Sequence, residues 1–367
     1  MKKILLIAGC LSFLGFPASS HSLPIEEQRI TTDTEWRDLQ DNEVNRFKLH
    51  TNYFAYESVE KALSGDRKAS ENYLSLNGTW KFHYAETPDD RLKDFYISNY
   101  DDSSWKSMPV PGLWELNGYG DPVYVNVGFA WRGHFKNNPP LVPIKDNHVG
   151  SYRRIINIPD NWMGRQIIAH FGSVTSNIYL YVNGKYVGYA EDSKVAAEFD
   201  ITPFLKKGRN LIAFQVFRWC DGSYCEDQDF WRLSGVGRDC FLYARNKDVQ
   251  VSNLKVNTDL QNGYKDGVLS VDLDVKGNPT VDFDLLNANG VSMSKQTVNF
   301  KGLQHGSVQF NIQNVKKWTA ETPYLFTLLT TVKKGNKVVE VIPQRIGFKK
   351  VEIKNSQLLV NGQPIYI

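Results

Sequence analysis

The sequence predicts an all-β fold, and three observations carry the prediction. Helical periodicity is nearly absent, alternating runs rich in Val, Ile, Tyr and Phe recur in its place, and Gly, Asn, Asp and Pro separate them. The clearest runs are 167–171, 177–182, 186–189, 210–217, 268–275 and 326–333. Asn183 and Gly184 stand between two of them, a pair suited to the two positive φ angles of a tight hairpin.

In chain order, residues 1–22 read as a leader. Lys2 and Lys3 form a basic start, residues 4–16 are apolar, and small residues follow around 18–22. An apolar run of about 13 residues is too short to span a bilayer, so a signal peptide and an exported protein, periplasmic or extracellular, are expected. The IAGC stretch ending at Cys10 offers a lipid anchor as the alternative. No other stretch approaches membrane length, so no transmembrane anchor is expected.

Residues 23–70 are polar and predict an irregular segment. Residues 71–246 hold seven of the nine tryptophans, Trp80, Trp105, Trp114, Trp131, Trp162, Trp219 and Trp231, and are long enough for a jelly-roll sandwich. Near Asn246 the aromatics thin out. Residues 247–349 then show about seven short strands with turns at Asn262-Gly263, Asn289-Gly290 and Gly335-Asn336, which suits an immunoglobulin-like sandwich. Residues 350–367 predict a hairpin feeding a new strand, the start of a third domain cut short.

The charge balance narrows the partners. Forty-three Lys+Arg against 40 Asp+Glu give +3, and Lys2 and Lys3 belong to the leader, so the rest is close to neutral. Nucleic acid is excluded as an electrostatic partner. The 9 Trp, 18 Tyr and 20 Phe admit two readings. Aromatic faces stack on sugar rings, and β-rich cores also favour aromatics.

Ordered motifs carry a family resemblance. LNGTW (76–80), VPGLW (110–114), DPVYVN (121–126), NPPLVP (138–143), VGSY (149–152), VNGK (182–185) and FDIT (199–202) together resemble the sugar-binding domain of glycoside hydrolase family 2. The run RWCDGSYCEDQDFWRLSG (218–235) resembles the large bacterial β-galactosidases within it. The resemblance implies a retaining glycosidase acting on terminal β-D-galactosyl residues of oligosaccharides or glycans. Two carboxylates about 5–5.5 Å apart do that chemistry, one as acid and one as nucleophile. The family carries both as glutamates on a TIM barrel of about 250 residues, so neither glutamate is expected in this chain. The chain alone is expected to be inactive, with residues 350–367 as the truncated barrel start.

Two positions match substrate-binding residues of the family. Asp221 is implied to contact galactosyl hydroxyls and to bind sodium, a role suited to a hard anionic oxygen. Asn126 is implied to reach the same sugar, because an amide both donates and accepts. On spacing alone, Asp221-Gly222 would be a hairpin turn and Asn126 a turn residue. Magnesium is implied for the full-length enzyme, with its ligands outside this chain, and a homo-oligomer is implied through a segment like residues 43–56.

Neighbouring residues have plainer readings. Glu226, Asp227 and Asp229 lack the ligand count of a calcium loop, and Arg218, Arg232 and Arg238 are available partners. Trp219 and Trp231 are expected to pin the Asp221 loop by packing. His134 and His148 are expected to be ordinary loop histidines. Cys220, Cys225 and Cys240 depart from the β-galactosidase pattern. Small buried residues with at most one local bridge are the first reading of the three; export would allow such a bridge, for instance Cys220–Cys225. Another function remains open: a non-catalytic carbohydrate-binding or scaffold module. A different specificity, such as β-glucuronidase, would need a cationic pocket that no run in the sequence displays.

Overall fold

The structure, a computed structural model, describes residues 31–302 and 304–366. The expected leader and Cys10 lie outside the described residues. Strand covers 47% of the chain and helix 7%, which establishes the all-β class.

Strand Ile178–Val182 shows how the first sandwich is built. Its alternation sends Ile178, Leu180 and Val182 into one core and Tyr179 and Tyr181 into another. The strand therefore has no wet face. It belongs to a seven-stranded antiparallel sheet ordered Glu43–Val44, Lys185–Ala190, Ile178–Val182, Gly208–Phe217, Val149–Ile158, Gly78–Ala85, Lys106–Val110. A ten-residue register from Gly208 opposite Ile158 to Phe217 opposite Val149 forms its spine. The Asn183-Gly184 turn takes φ of 51° and 82°, as its residue pair predicts.

The inner face packs on a second sheet ordered Ala197–Asp200, Gln166–Phe171, Cys240–Arg245, Tyr73–Ser75. Trp80, Tyr152 and Phe214 fill the space between, with Tyr152 stacked on Phe214 at 4.3 Å. The outer face is covered by connections. Trp36 stacks on Phe217 at 5.1 Å, and Trp131 meets Trp219 edge-on at 5.4 Å. Trp36, Trp80, Trp105, Trp114, Trp131, Trp162 and Trp219 are all buried. Of the two readings of the aromatic excess, core packing accounts for these seven.

The second sandwich packs strands Gln250–Gln261, Asp266–Lys276 and His305–Ile312 against Ser292–Asn299, Thr280–Leu286, Phe326–Lys334 and Lys337–Ile346. These seven strands form the expected immunoglobulin-like unit around Leu269, Val271, Phe283, Phe310 and Leu328. Beyond it, Val351–Lys354, Gln357–Val360 and Gln363–Pro364 form a three-stranded meander. No barrel closes among the described residues.

The segment read as irregular has structure that its sequence hides. Glu43–Val44 pairs with Lys185–Ala190 and forms the edge of the sheet, and Ser58 caps the helix Val59–Ser64. Two strand residues and six helical ones are too short to show a period. Between them, residues 47–56 form a strap across both sandwiches. His50 Nε2 bonds Glu198 on the first at 2.8 Å, Tyr53 OH donates to Val251 O on the second at 2.9 Å, and Tyr56 pairs its backbone with Val341. Glu198 also bonds His170 at 2.7 Å. Burial works against the Glu198 charge, yet the bonds from His170 and His50 outweigh it and hold the carboxyl well below its ordinary range.

Under the strap lies a buried ion pair between the sandwiches. Arg245 Nε and Nη2 reach the two oxygens of Glu340 at 2.9 and 2.7 Å, and Nη2 also donates to Val251 O. Both side chains are at least 95% buried, so removing one partner strands a charge. Arg245→Ala is expected to cost about 3–5 kcal/mol, read as a fall in denaturant midpoint. A joint Arg245→Met and Glu340→Leu replacement is expected to recover most of that loss, because neither charge is then left unpaired.

Candidate functional site

The loop carrying Asp221 grows out of the central strand Gly208–Phe217. The ladder runs one rung further, with Arg218 N donating to His148 O at 2.8 Å. Asn147 then imitates the next rung: its Oδ1 accepts from Trp219 N at 2.8 Å and its Nδ2 donates to Trp219 O at 3.1 Å. Asp221 N donates to Trp36 O at 2.9 Å. The backbone leading to Asp221 is thus tied at every step.

The rest of the loop is fastened by the acidic residues singled out in the sequence. Glu226 accepts from Ser193 N at 2.7 Å, Asp227 pairs with Arg232, and Asp229 accepts from Tyr124 OH at 2.6 Å. Arg218 donates to Asp121 O and Arg238 to Lys194 O, so neither serves the acidic cluster. Strand Phe230–Arg232 pairs with Val123–Val125, setting Trp231 opposite Tyr124. Trp219 is buried as expected of a pinning residue; Trp231 is 56% exposed and is not one. His148 bonds Glu86 O at 3.0 Å, and His134 lies 3.7 Å from Asp146.

Asp221 itself is buried, and its Oδ1 has no hydrogen-bond partner. Beside it are Glu191 and Cys220, their ligand atoms within 4.8 Å of one another. Tyr189 OH donates to Glu191 Oε1 at 2.5 Å. Burial, reinforced by the neighbouring Asp221 carboxyl, pushes Glu191 up to about 9, and burial raises Asp221 as well. Two carboxyl groups this close hold one proton between them at neutral pH. Nothing in the sequence links positions 191 and 221, so Glu191 escapes sequence reasoning.

An unpartnered, buried carboxylate oxygen fits a small hard cation, and Asp221 Oδ1 is the atom that would hold sodium. Magnesium requires an octahedral oxygen set, which two carboxylates and a thiol do not supply. Asn126 lies exposed just past strand Val123–Val125. No hydrogen bond joins it to Asp221 among the described residues. A cleft of about 310 Å³ opens nearby, walled by Phe129, Trp131, Trp219, Gln228 and Phe230, and neither Asn126 nor Asp221 lines it.

Of the two readings of the cysteines, the structure shows the free thiols. All three are free. Cys220 is buried with Sγ directed at Ser176 O, 3.7 Å away, whereas Cys225 is exposed on the short helix Ser223–Glu226. The possible Cys220–Cys225 bridge is not formed: one residue is buried and the other exposed.

Family models match two consecutive parts of the chain: the sugar-binding domain of glycosyl hydrolases family 2 at residues 73–246, and a second model of the same family at 249–349. The chain belongs to glycosyl hydrolases family 2. Among its family 2 relatives, a β-galactosidase of Priestia megaterium is 39% identical over 337 residues, covering 89% of this chain and 32% of that protein. A β-galactosidase of Halalkalibacterium halodurans is 37% identical, covering 91% and 33%. The chain thus spans about a third of the length of these curated relatives. Solved family 2 structures share the fold: a Bifidobacterium dentium β-glucuronidase has TM-score 0.64 and 18% identity over 81% of this chain and 52% of that one. Bacteroides uniformis β-glucuronidase 2 has TM-score 0.65 and 22% identity over 80% and 34%.

The Glu191 carboxyl has a consequence for stability. In the folded chain it stays neutral up to about pH 9, while its ordinary value is 4.5. Between those values the unfolded state gains by ionising and the folded state does not, so stability falls as pH rises. In sodium-free buffer, Glu191→Gln is expected to match the parent near pH 4 and to become the more stable of the two towards pH 8. Denaturant melts across that range check it; a difference independent of pH would contradict the shared proton.

Proposed function

We propose that this chain is the sandwich portion of an exported β-galactosidase that removes terminal β-D-galactosyl residues from oligosaccharides or glycans. The observation that carries the reading is the 33–39% identity to β-galactosidases across about nine-tenths of the chain. Likeness to the β-glucuronidases, at 18–22% identity, concerns the fold.

In this reading Asp221 is the chain's own contribution to the galactose site. Its carboxylate accepts a charge-assisted hydrogen bond from a sugar hydroxyl, and its unpartnered oxygen holds a sodium ion. Sodium, when bound, supplies a positive charge that orients sugar oxygens. Asn126 adds a donor and an acceptor from the rim. Trp36 and Asn147 keep the Asp221 backbone still, so its carboxylate meets substrate without reordering cost. The acid and nucleophile of a retaining mechanism are glutamates outside this sequence, as are the magnesium ligands. The full enzyme assembles as a homo-oligomer.

The experiment compares the 367-residue chain with the chain extended by whatever reading frame follows codon 367. The first is expected to release no nitrophenol from o-nitrophenyl β-galactoside. The second is expected to hydrolyse it, and Asp221→Ala to lower kcat/KM about 10- to 100-fold through loss of a charged hydrogen bond. Turnover by the 367-residue chain that Asp221→Ala abolishes would contradict the division of labour. A preference of the extended protein for β-glucuronides would contradict the specificity.

A further inference from the structure

We propose that a cleft on the outer face of the four-stranded sheet binds a saccharide carrying a sulfate or carboxylate group. The cleft measures about 660 Å³ and opens between the strap and strands Ala197–Asp200 and Gln166–Phe171. Two cations free of carboxylates come to it from distant parts of the sequence, Lys48 on the strap and Arg238 before Cys240; a third, Arg67, is paired. Lys48 and Arg238 are exposed, and neither pairs with a carboxylate among the described residues.

The acids that share the cleft are already engaged. Glu198 accepts from His50, His170 and Tyr243, and Asp239 pairs with Arg67 at 2.8 Å. Lys48 and Arg238 therefore remain without a carboxylate partner inside one concavity, while Lys194 Nζ turns away to Thr175 Oγ1 at 3.5 Å and to the Phe230 ring. Isolated surface cations are ordinarily solvated and unused. Here concave, low-dielectric walls concentrate their field on a shared space, in a chain whose overall balance is only +3.

The size of the cleft argues for more than a bare ion. Its volume falls in the range of small-molecule sites, about 300–1,000 Å³, whereas an inorganic anion fills a small part of it. Phe47, Leu49 and Val195 add apolar wall between the cations. Such a surface suits a ring with one anionic substituent. Arg238 would fork onto a sulfate or carboxylate, and Lys48 would add a point charge.

Calorimetric titration of the full chain at about 50 mM salt tests this, with galactose 6-sulfate, galacturonate, galactose and sodium sulfate as probes. The two anionic sugars are expected to bind, galactose not at all, and sulfate at least about tenfold more weakly than galactose 6-sulfate. Lys48→Glu with Arg238→Glu is expected to weaken the anionic sugars by at least about tenfold. Lys48→Glu alone, at an exposed position without a partner, is expected to weaken them several-fold while leaving the melting temperature unchanged. Absence of binding by both anionic sugars would overturn the proposal. So would equal binding of galactose, sulfate binding as tight as the sugar's (an ion site only), or unaltered affinity in the folded Lys48→Glu variant.

Discussion

The central strands of the seven-stranded sheet, Ile178–Val182 and Gly208–Phe217, are buried on both faces, and this constraint organises the first two-thirds of the molecule. One face meets the four-stranded sheet in the ordinary way of a sandwich. The other has no partner sheet, so the connections must supply a core of their own. Trp36, Phe95, Trp105, Trp131 and Trp219 do so, packing on Tyr179, Tyr181, Tyr189 and Phe217. Burying side chains of this size contributes about 1.5–3 kcal/mol each, enough to hold long loops that would otherwise be mobile.

The candidate site is a product of that second core. Asp221 follows directly on Trp219 and Cys220, both of which belong to it, and its backbone hydrogen bonds to Trp36 across the same layer. A polar side chain is thereby held in a buried position with one oxygen unsatisfied. Such an arrangement costs stability unless a ligand or cation completes it. The shared proton with Glu191 reduces that cost in the free chain.

The architecture was legible in the sequence because strand alternation, the Asn-Gly hairpins and the shift of composition near Asn246 are local signals. Asp221 was legible through the run from Arg218 to Gly235; its burial was not, since Asp-Gly reads locally as an exposed turn. Features built from distant residues left no trace. The Arg245–Glu340 pair, the strap from 47 to 56 and the Glu191 partner of Asp221 join positions 30 to more than 140 residues apart. The same holds for the cations of Lys48 and Arg238, which the fold gathers although no run of sequence displays a pocket. The possible Cys220–Cys225 bridge is absent for a related reason. Nearness along the chain says nothing about which of the two residues is buried.

The central claim is that the Asp221 loop belongs to the rigid core of the sandwich, and native-state hydrogen exchange on the 34–38 and 218–224 segments tests it most directly. The account predicts that the amides of Trp219 and Asp221 exchange only as slowly as those of the central strand Gly208–Phe217, through global unfolding. Exchange of these amides at loop-like rates, with the central strand still protected, would contradict it.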